Sequence, residues 1–310
     1  MIVVLTGGTG GAKFVQGLQQ VVAPVDIAAI VNTGDDLTWW GLHVSPDIDS
    51  IMYALGGILS SERGWGIEAD TFHCLERMKQ LGAPSWFQLG DRDLATHLQR
   101  TQLLSAGTSL SEATAKISNS YDIISRILPM TNDRVETRVT TTVGELGFQE
   151  YFVRERYQLP VSSVQFVGAE TATPAPGVLH AIHSADAVFI APSNPITSIG
   201  PILAVPGIRE ALSNTAAPVI SISPIVAGSA VSGPAGALML AQGLTVSGEG
   251  IAHYYSDMLD TLLIDKQDAA SSHIAGVELV GANIVMKNLQ DKIELAKVAL
   301  AIAGAATLNA

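Results

Sequence analysis

The sequence predicts a protein of the α/β class, with a mostly parallel sheet flanked by helices, a smaller helical insertion and a β-hairpin. Two continuous apolar runs, Ile2–Leu5 and Ile27–Val31, have the pattern of strands that are buried on both faces. A helical stretch, Phe14–Val22, separates them. The chain has 310 residues, of which 47% are hydrophobic and 15% charged, and this composition suits a large buried sheet with short loops.

Helices are predicted in the next part of the chain. Apolar residues recur at three-to-four spacing in Thr71–Leu81 and in Asp93–Ala106, and Ser109–Ile117 follows with a similar pattern. From about residue 51 to residue 130 we therefore expect a helical insertion between strands of the sheet.

A hairpin and a second α/β stretch complete the predicted elements. Val135–Val143 and Phe148–Val153 alternate in a strand-like way around a predicted turn at Gly144–Gly147. Short β-prone runs then alternate with helical stretches. The runs are Val164–Val167, Ala187–Ala191 and Val219–Ser223, and the helical stretches are Pro176–Ser184, Ile208–Asn214 and Leu289–Ala306. Without repeats or long linkers, residues 1–310 are expected to form a single catalytic unit.

The charge balance disfavours nucleic acid as a partner. The 17 Lys and Arg residues against 29 Asp and Glu residues give a net charge of −12, so the overall field repels polyanions.

Cys74 is the only cysteine, which excludes an internal disulfide framework and a cysteine-rich zinc site. The apolar start has no basic leader, and no apolar stretch reaches the roughly 20 residues that span a bilayer. We therefore expect a cytoplasmic protein without a membrane partner.

A glycine-rich turn follows the first predicted strand. The order strand, glycine turn, helix is typical of an anion site, because glycine lets backbone N–H groups approach a phosphate closely and the helix N-terminus adds about half a positive charge. Phe14 follows Lys13, so this is not a Walker A loop, and Lys13 stands where G-x-G-x-x-G requires its third glycine. The structural alternative is a tight turn without a ligand. We predict a nucleotide or diphosphate site with contacts from Gly7, Gly8, Thr9, Gly10, Gly11 and Lys13.

Three acidic clusters give the strongest chemical signal: Asp35-Asp36, Asp47-Ile48-Asp49 and Asp91-Arg92-Asp93. Aspartate also caps helices, so each pair taken alone has a structural explanation. Bare carboxylates would repel a diphosphate, and Mg²⁺ held by one or two carboxylates and the phosphate removes that conflict. Asp47 and Asp49 point the same way in an extended segment and are the predicted metal ligands.

Further polar side chains complete the predicted site. Arg92 either pairs with its acidic neighbours or presents its guanidinium to a phosphate or a substrate hydroxyl. The loop after a later strand offers neutral hydrogen-bond groups to a ligand, although a proline-stiffened loop with serine and asparagine caps has the same pattern. Its predicted contacts are Ser193, Asn194, Pro195 and Ser198.

Together these segments resemble the 2-phospho-L-lactate transferase (CofD-type) family of coenzyme F-420 biosynthesis. The likeness runs over nearly the whole length, and the Gly-Asp-Arg-Asp and Ser-Asn-Pro segments make it specific. The matching segments are Gly7–Lys13, Asn32–Asp36, Ser45–Ser50, Arg63–Gly66, Gly90–His97, Ser193–Gly200, Ser223–Ile225 and Val231–Gly236.

The resemblance implies a Rossmann-like core, placed at residues 1–50 and 160–310, and a homodimer. It implies a donor in which a three-carbon acid is joined through a diphosphate to guanosine. The implied acceptor is the deazaflavin Fo (7,8-didemethyl-8-hydroxy-5-deazariboflavin), whose terminal ribityl hydroxyl attacks the phosphorus nearest the acid and displaces GMP. It also implies a requirement for Mg²⁺. The acid is phospholactate, phosphoenolpyruvate or phosphoglycerate.

By motif, Gly7–Lys13 would cradle the donor phosphates and Asn194 would face the guanosine or its phosphate. Asp49 matches a family position assigned to Fo binding, and a second such position falls at Gln88, where some relatives carry lysine. We expect Asp49 to accept or orient the proton of the ribityl hydroxyl, with Lys13 and the metal stabilising the diphosphate, so that Asp49→Asn reduces turnover and leaves the fold intact. Asn32, Asp35, Asp36, Asp91 and Arg92 are the remaining predicted substrate contacts.

Two other functions fit parts of the pattern. Nucleotide-sugar-binding regulatory proteins related to this family share the Gly-Gly-Thr-Gly-Gly start and the Asn…Asp-Asp loop, but they do not depend on Gly-Asp-Arg-Asp. An NAD-linked oxidoreductase is disfavoured by the missing third glycine and by the lack of a hydride-relay histidine or tyrosine.

Overall fold

The computed structural model describes residues 1–268, 273–274 and 276–304. The strands are β1 Ile2–Thr6, β2 Ile27–Val31, β3 Leu37–Trp39, β4 Leu42–Val44, β5 Arg126–Pro129, β6 Glu136–Thr141, β7 Gly144–Gly147, β8 Val161–Val167, β9 Ala187–Ile190, β10 Val219–Ile222, β11 Ile225–Val226, β12 Ser229–Ala230, β13 Thr261–Asp265, β14 His273–Ile274 and β15 Val277–Ala282. The helices are α1 Gly8–Leu18, α2 Pro46–Leu55, α3 His73–Gln80, α4 Asp91–Ser105, α5 Leu110–Ser120, α6 Val178–His183, α7 Gly200–Ala204, α8 Ile208–Asn214, α9 Ala235–Ala241, α10 Gly248–Tyr255 and α11 Leu289–Ile302.

The main sheet has the strand order β14-β15-β13-β10-β9-β1-β2-β5, and all of its pairs are parallel except β14 with β15. This confirms the predicted α/β fold. Alternate residues of β1 enter different cores: Val3 and Leu5 pack into the apolar cluster on one face, and Ile2 and Val4 into the cluster on the other. Burial on both faces explains why the strands read as continuous apolar runs.

The strand order changes direction at β1, whose neighbours are β2 and β9. From β1 the chain builds outward to β2 and β5 on one side, and then to β9, β10 and β13 on the other. The helices that follow β1 and β9 pack on opposite faces of the sheet, and a crevice forms at the carboxyl ends of these strands, where open α/β sheets bind ligands.

The first helix begins earlier than the sequence pattern predicts. Helix α1 starts at Gly8, inside the glycine turn, and ends at Leu18, not at Val22. A Cβ atom on Gly10 would lie 2.1 Å from the carbonyl oxygen of Pro192. Because the glycines have no side chains, the first helical turn of α1 lies directly against the ends of β1 and β9. The predicted glycine turn is therefore part of the helix.

The predicted hairpin is present, but its second strand was misplaced. Strand β6 pairs with β7 at Gly144–Gly147, the residues predicted as the turn. The predicted strand Phe148–Val153 is wrong, because Glu150–Arg154 forms a π-helical turn. Phe148 and Phe152, four residues apart, stack at a centroid distance of 5.5 Å in this turn. The predicted run Val164–Val167 lies in β8, which pairs with β6 in a small antiparallel sheet and not with the main sheet.

The helical insertion lies between β2 and β5, as predicted, and contains α2 to α5. The sequence pattern missed the hairpin β3–β4 and the strand β5, which pairs in parallel with β2. The other predicted strands and helices are found within a few residues of their predicted bounds. The predicted tail helix Leu289–Ala306 corresponds to α11, and residues 305 and 306 lie outside the described residues. Over the part of the chain that is described, every helix is too short or too polar to cross a membrane.

Gly17 sets how closely α1 approaches α11, because a Cβ atom there would lie 2.2 Å from the carbonyl oxygen of Lys292. We expect Gly17→Ala to lower the free energy of unfolding by about 1–3 kcal/mol, since neither backbone can move without disturbing the core. Gly236→Ala in α9 is the control, because its nearest atom is a side-chain methyl of Val246 at 3.3 Å. Urea unfolding measures the change in the free energy of unfolding for both variants. An unchanged unfolding midpoint for Gly17→Ala would contradict the close approach of α1 to α11.

Candidate active site

A cavity of about 620 Å³ opens at the carboxyl ends of β1, β2 and β9. The loops after β1 and β9, the start of α2 and the loop before α4 all contribute to its walls. Twelve of the residues predicted from the sequence line it: Gly7, Gly8, Thr9, Gly10, Lys13, Asp35, Asp47, Asp49, Gln88, Ser193, Asn194 and Ser198.

Asp47 lies at the N-terminus of α1. The backbone N–H of Gly8 donates to Asp47 Oδ1 at 2.7 Å, and a Cβ atom on Gly7 would come within 2.4 Å of Asp47 Oδ2. The first N–H groups of a helix have no partner within the helix, and they attract anions. In this structure the protein's own carboxylate occupies part of that anion site.

The side chain of Asn32 links the loop after β2 to the start of α2 and to the turn after β9. Its amide nitrogen donates to Asp47 Oδ2 at 2.9 Å and to the carbonyl oxygen of Thr197 at 3.2 Å, and its amide oxygen accepts from Gly34 N–H at 2.7 Å. Because Asn32 is fully buried, it acts behind the wall of the cavity and holds Asp47 in place.

Three carboxyl groups are buried together beside α1. Burial raises the pKa of Asp35 well above its ordinary value, and the charge of Asp47 raises it further. Burial also raises the pKa of Asp36, although His43 and Ser45 bind its Oδ2 and act in the opposite direction. For Asp47, burial outweighs its hydrogen bonds from Asn32 and Gly8 and raises the pKa to about 6. Burial and mutual repulsion therefore make it energetically unfavourable for these carboxyl groups to be ionised together.

Asp49 belongs to a second, paired set of charges. Arg100, which is fully buried on α4, binds both carboxylate oxygens of Asp49. His97 lies between two carboxylates, with Nδ1 3.6 Å from Asp49 Oδ2 and Nε2 3.2 Å from Asp93 Oδ1. The hydroxyl of Tyr53 donates to Asp93 at 2.7 Å. Burial raises the pKa of Asp93, but hydrogen bonding and the charge of His97 hold it below its ordinary value.

The loop after β9 forms the opposite wall. Ser193 Oγ donates to the carbonyl oxygen of Gly7 at 2.7 Å and ties this loop to the glycine turn. Asn194 Oδ1 accepts from Ile196 N–H and Thr197 N–H and caps the π-helical turn Pro195–Ile199. Ser193 and Asn194 stabilise the loop as the structural alternative predicts, and they also line the cavity, where they can contact a ligand.

Several predicted site residues lie outside the cavity wall. Asp91 accepts from Thr71 Oγ1 and from the N–H groups of His73 and Cys74 at the start of α3, and Asp70 in turn accepts from the first N–H groups of α4. This mutual capping explains the acidic Gly-Asp-Arg-Asp segment. Arg92 is exposed and reaches the carbonyl oxygen of Glu68 at 3.5 Å. The structure brings neither Asp91 nor Arg92 to the cavity. Asn32, Gly11 and Pro195 also lie outside its wall, and Asp36 lines a neighbouring cavity together with Asp35.

An aromatic wall completes the cavity, with Tyr53, Trp65, Trp86, Phe87, Phe148 and Phe152. The sequence pattern did not identify Phe148, Phe152 or Arg156 as site residues. For the tryptophans a signal was available, because all four fall in the first third of a chain that is only 5% aromatic, and two of them, Trp65 and Trp86, line the cavity. Such a wall suits a planar ring.

The carboxylates of the cavity match Mg²⁺ only in combination with a substrate phosphate. Among the described residues no three His, Cys, Asp or Glu side chains form a preformed metal site. Mg²⁺ needs only one or two carboxylates when substrate phosphates supply further ligands. Asp35 and Asp47 fit that requirement, because both line the cavity, their charges repel each other, and Asp35 Oδ1 has no hydrogen-bond partner in the described part of the chain. Asp49 fits less well, since Arg100 holds both of its oxygens.

Asp35 should reduce the stability of the folded protein. A carboxyl group whose pKa is raised by folding gives its full stability below its ordinary pKa, and that stability is lost as the pH rises. We therefore expect Asp35→Asn to raise the free energy of unfolding by about 0.5–2 kcal/mol at pH 7, with a smaller gain at pH 4. Urea unfolding at both pH values tests this, with exposed Asp26→Asn as the control. A loss of stability at pH 7 would show that Asp35 is not strained.

Comparison with known proteins agrees with this geometry. The family model described as 2-phospho-L-lactate transferase CofD matches residues 2–302. The phosphoenolpyruvate transferase of Streptomyces coelicolor is 46% identical, over 97% of this chain and 98% of that protein. The 2-phospho-L-lactate transferase of Methanosarcina mazei is 39% identical, over 96% and 98%.

Among solved structures, a member of the UPF0052 family from Bacillus halodurans superposes with a TM-score of 0.66 at 18% identity, covering 96% of this chain and 98% of that one. At this identity the likeness supports the fold alone. The family model and the curated relatives carry the functional conclusion: the chain is an enzyme of the 2-phospho-L-lactate transferase CofD family.

Proposed function

We propose that the protein transfers a three-carbon phospho-acid group from a guanosine diphosphate-linked donor to the terminal ribityl hydroxyl of Fo, with release of GMP. The group is 2-phospho-L-lactyl, phosphoenolpyruvyl or phosphoglyceryl. The observation that carries the proposal is a single cavity in which the N-terminus of α1 and Lys13 face an aromatic wall. One end suits a diphosphate and the other suits a deazaflavin ring. We also propose a homodimeric, cytoplasmic enzyme.

The donor phosphates would bind at the glycine turn. Besides Gly8, whose N–H group bonds to Asp47, the first turn of α1 contains Thr9 and Gly10 at the cavity wall. Lys13 lies one turn further along the same helix, and no acidic side chain forms an ion pair with it in the described residues. Its charge is available to a phosphate oxygen. Asn194 and Ser198 would contact the nucleotide from the opposite wall.

The acceptor would stack on the aromatic wall. Trp86 and Phe87 precede Gln88, and all three line the cavity next to α4. A planar deazaflavin against these rings would direct its ribityl chain toward the acidic side of the cavity. Asp49 lies on that side, held by Arg100, and we propose that it contacts the ribityl chain near its end.

In the chemical step, the ribityl oxygen forms a bond to the phosphorus nearest the acid, and the bond from that phosphorus to the bridging oxygen breaks. The bridging oxygen and its electron pair leave with GMP, and the hydroxyl proton passes to a carboxylate. Asp47, with a pKa of about 6, is suited to accept this proton near neutral pH. Asp49, the predicted acceptor, has both oxygens bound to Arg100, which suits it better to orientation. Positioning and charge neutralisation would supply most of the rate enhancement.

Asp35 would hold Mg²⁺ together with the donor phosphates, which leaves Asp47 free to accept the proton. Bound there, the ion would neutralise the charge of the diphosphate and stabilise the leaving phosphate. It would also relieve the repulsion between the two buried carboxylates.

Mass spectrometry of a complete reaction tests the proposal. The protein is incubated with Fo, Mg²⁺, GTP, a guanylyltransferase and each of the three phospho-acids in turn. A new Fo adduct with release of GMP supports the transferase, and the mass of the adduct identifies the acid. Nucleotide binding by the folded protein without an adduct from any donor would overturn the proposal and favour a nucleotide-sugar-binding regulatory function.

A further inference from the structure

Arg156 lines the cavity but belongs to a different part of the chain from the glycine turn. It follows the π-helical turn Glu150–Arg154, beside the small antiparallel sheet. Phe148 and Phe152 of the same segment also line the cavity, so Arg156 lies on the side of the aromatic wall. Lys13 and Arg156 are the lysine and arginine residues of the described wall, and they arise from separate elements.

The backbone at Arg156 adopts an unusual conformation. Arg156 and Tyr157 have φ values of 53° and 45°, in the left-handed region that costs a non-glycine residue about 1–2 kcal/mol. Two contacts hold this conformation. Tyr157 N–H donates to the carbonyl oxygen of Tyr151 at 2.9 Å, and the Tyr157 ring stacks on Phe152 at a centroid distance of 5.6 Å. Strain of this kind is concentrated at functional sites.

The two arginines of this segment differ in their partners. Arg154 binds Glu150 at 2.7 Å and Glu155 at 2.8 Å, and its guanidinium lies 5.8 Å from the centre of the Trp86 ring. Arg156 forms no ion pair with an acidic side chain in the part of the chain that the structure describes. The charge of Arg154 is therefore neutralised within the protein, whereas that of Arg156 is available to a ligand.

We infer that Arg156 binds the carboxylate of the three-carbon acid in the donor. This inference rests on the proposed function, in which the donor carries one anionic group besides its phosphates. The helix N-terminus and Lys13 already serve the phosphates, and the planar guanidinium matches a carboxylate in a two-point contact. Arg156 is itself exposed, so its guanidinium is accessible to a ligand that enters the cavity. Arg156 thus selects donors that carry a carboxylate over phosphate esters that lack one.

Two ligands that differ only in the carboxylate provide the test. Guanosine diphosphate-linked lactate is compared with the ethyl ester of guanosine diphosphate, by calorimetry in the absence of Fo so that no turnover occurs. We expect the natural protein to bind the carboxylate-bearing ligand about tenfold to a hundredfold more tightly, as charge-assisted hydrogen bonds allow. Arg156→Gln should remove this preference and leave binding of the ethyl ester unchanged. Arg156→Lys should retain part of it.

Arg154→Gln is the matched control, because it removes a neighbouring guanidinium that is already paired, and it should keep the full preference. Equal weakening of both ligands by Arg156→Gln would place the contact at the diphosphate and overturn the inference. An unchanged preference in Arg156→Gln would overturn it as well, with the proposed function intact. Failure of both ligands to bind the natural protein would overturn the proposed function and this inference together.

Discussion

Asp47→Asn is expected to lower kcat by about 10²–10⁴-fold, the usual contribution of a positioned proton acceptor. Asp47 contacts the glycine turn through Gly8 and the end of the second strand through Asn32, and it lines the cavity in which, by the proposed reaction, the hydroxyl loses its proton. An asparagine keeps the shape of the side chain but cannot accept that proton. The measurement is the rate of Fo adduct formation at saturating donor and acceptor.

The pH dependence separates this role from a structural one. Asp47 accepts a proton only when it is ionised, so kcat/KM should rise with pH and level off above about 6, the pKa of Asp47. Asp47→Asn should lose this inflection, whereas the exposed control Asp26→Asn should keep both the inflection and the rate. A flat profile in the natural protein between pH 5 and pH 7, or normal turnover in Asp47→Asn, would refute the assignment.

Asp49→Asn is expected to reduce the free energy of unfolding by about 3–5 kcal/mol, because it leaves the buried guanidinium of Arg100 without its counter-charge. The expectation from sequence alone, loss of turnover with an intact fold, therefore changes for this variant. Turnover of Asp49→Asn has to be measured well below its unfolding temperature, so that loss of contact with the ribityl chain is not confused with unfolding.

A double variant distinguishes charge from packing. Arg100→Met in the Asp49→Asn background removes the unpaired cation and nearly preserves the volume, so it should recover much of the lost stability. Urea unfolding of the single and double variants gives the coupling energy between the two side chains. Additive losses in the double variant would mean that the two side chains do not act as a buried pair.

The sequence predicted β1, β2, β9 and β10 of the main sheet because these strands are buried on both faces, but it did not predict β5, β13, β14 and β15 of the same sheet. Runs such as Ile2–Leu5 and Ala187–Ala191 carry a strong signal, and the polar residues after them marked the ligand edge. The strand predicted at Phe148–Val153 was wrong for a physical reason. Its aromatic and β-branched residues favour a strand by composition, but Phe148 and Phe152 stack as neighbours one helical turn apart.

Partners that are distant in sequence were harder to predict. Arg100 and Asp49 are 51 positions apart, and only the fold shows that they meet. A local signal existed, since Asp93, His97 and Arg100 are spaced by four and three residues and share one face of α4. Charged residues on a face that packs against the protein indicate a buried network, and this pattern would have identified both Arg100 and His97.

The bond from Gly8 to Asp47 has a consequence for selectivity. Because a carboxylate of the chain itself already satisfies part of the helix N-terminus, a small free anion must displace an intramolecular competitor that is held at very high effective concentration. Inorganic phosphate gains little from that exchange. In the proposed function, a diphosphate that arrives with a divalent cation would gain much more, since the cation offsets the negative charge of the displaced carboxylate. Asp47 would therefore discriminate against small free anions such as inorganic phosphate and favour a diphosphate donor.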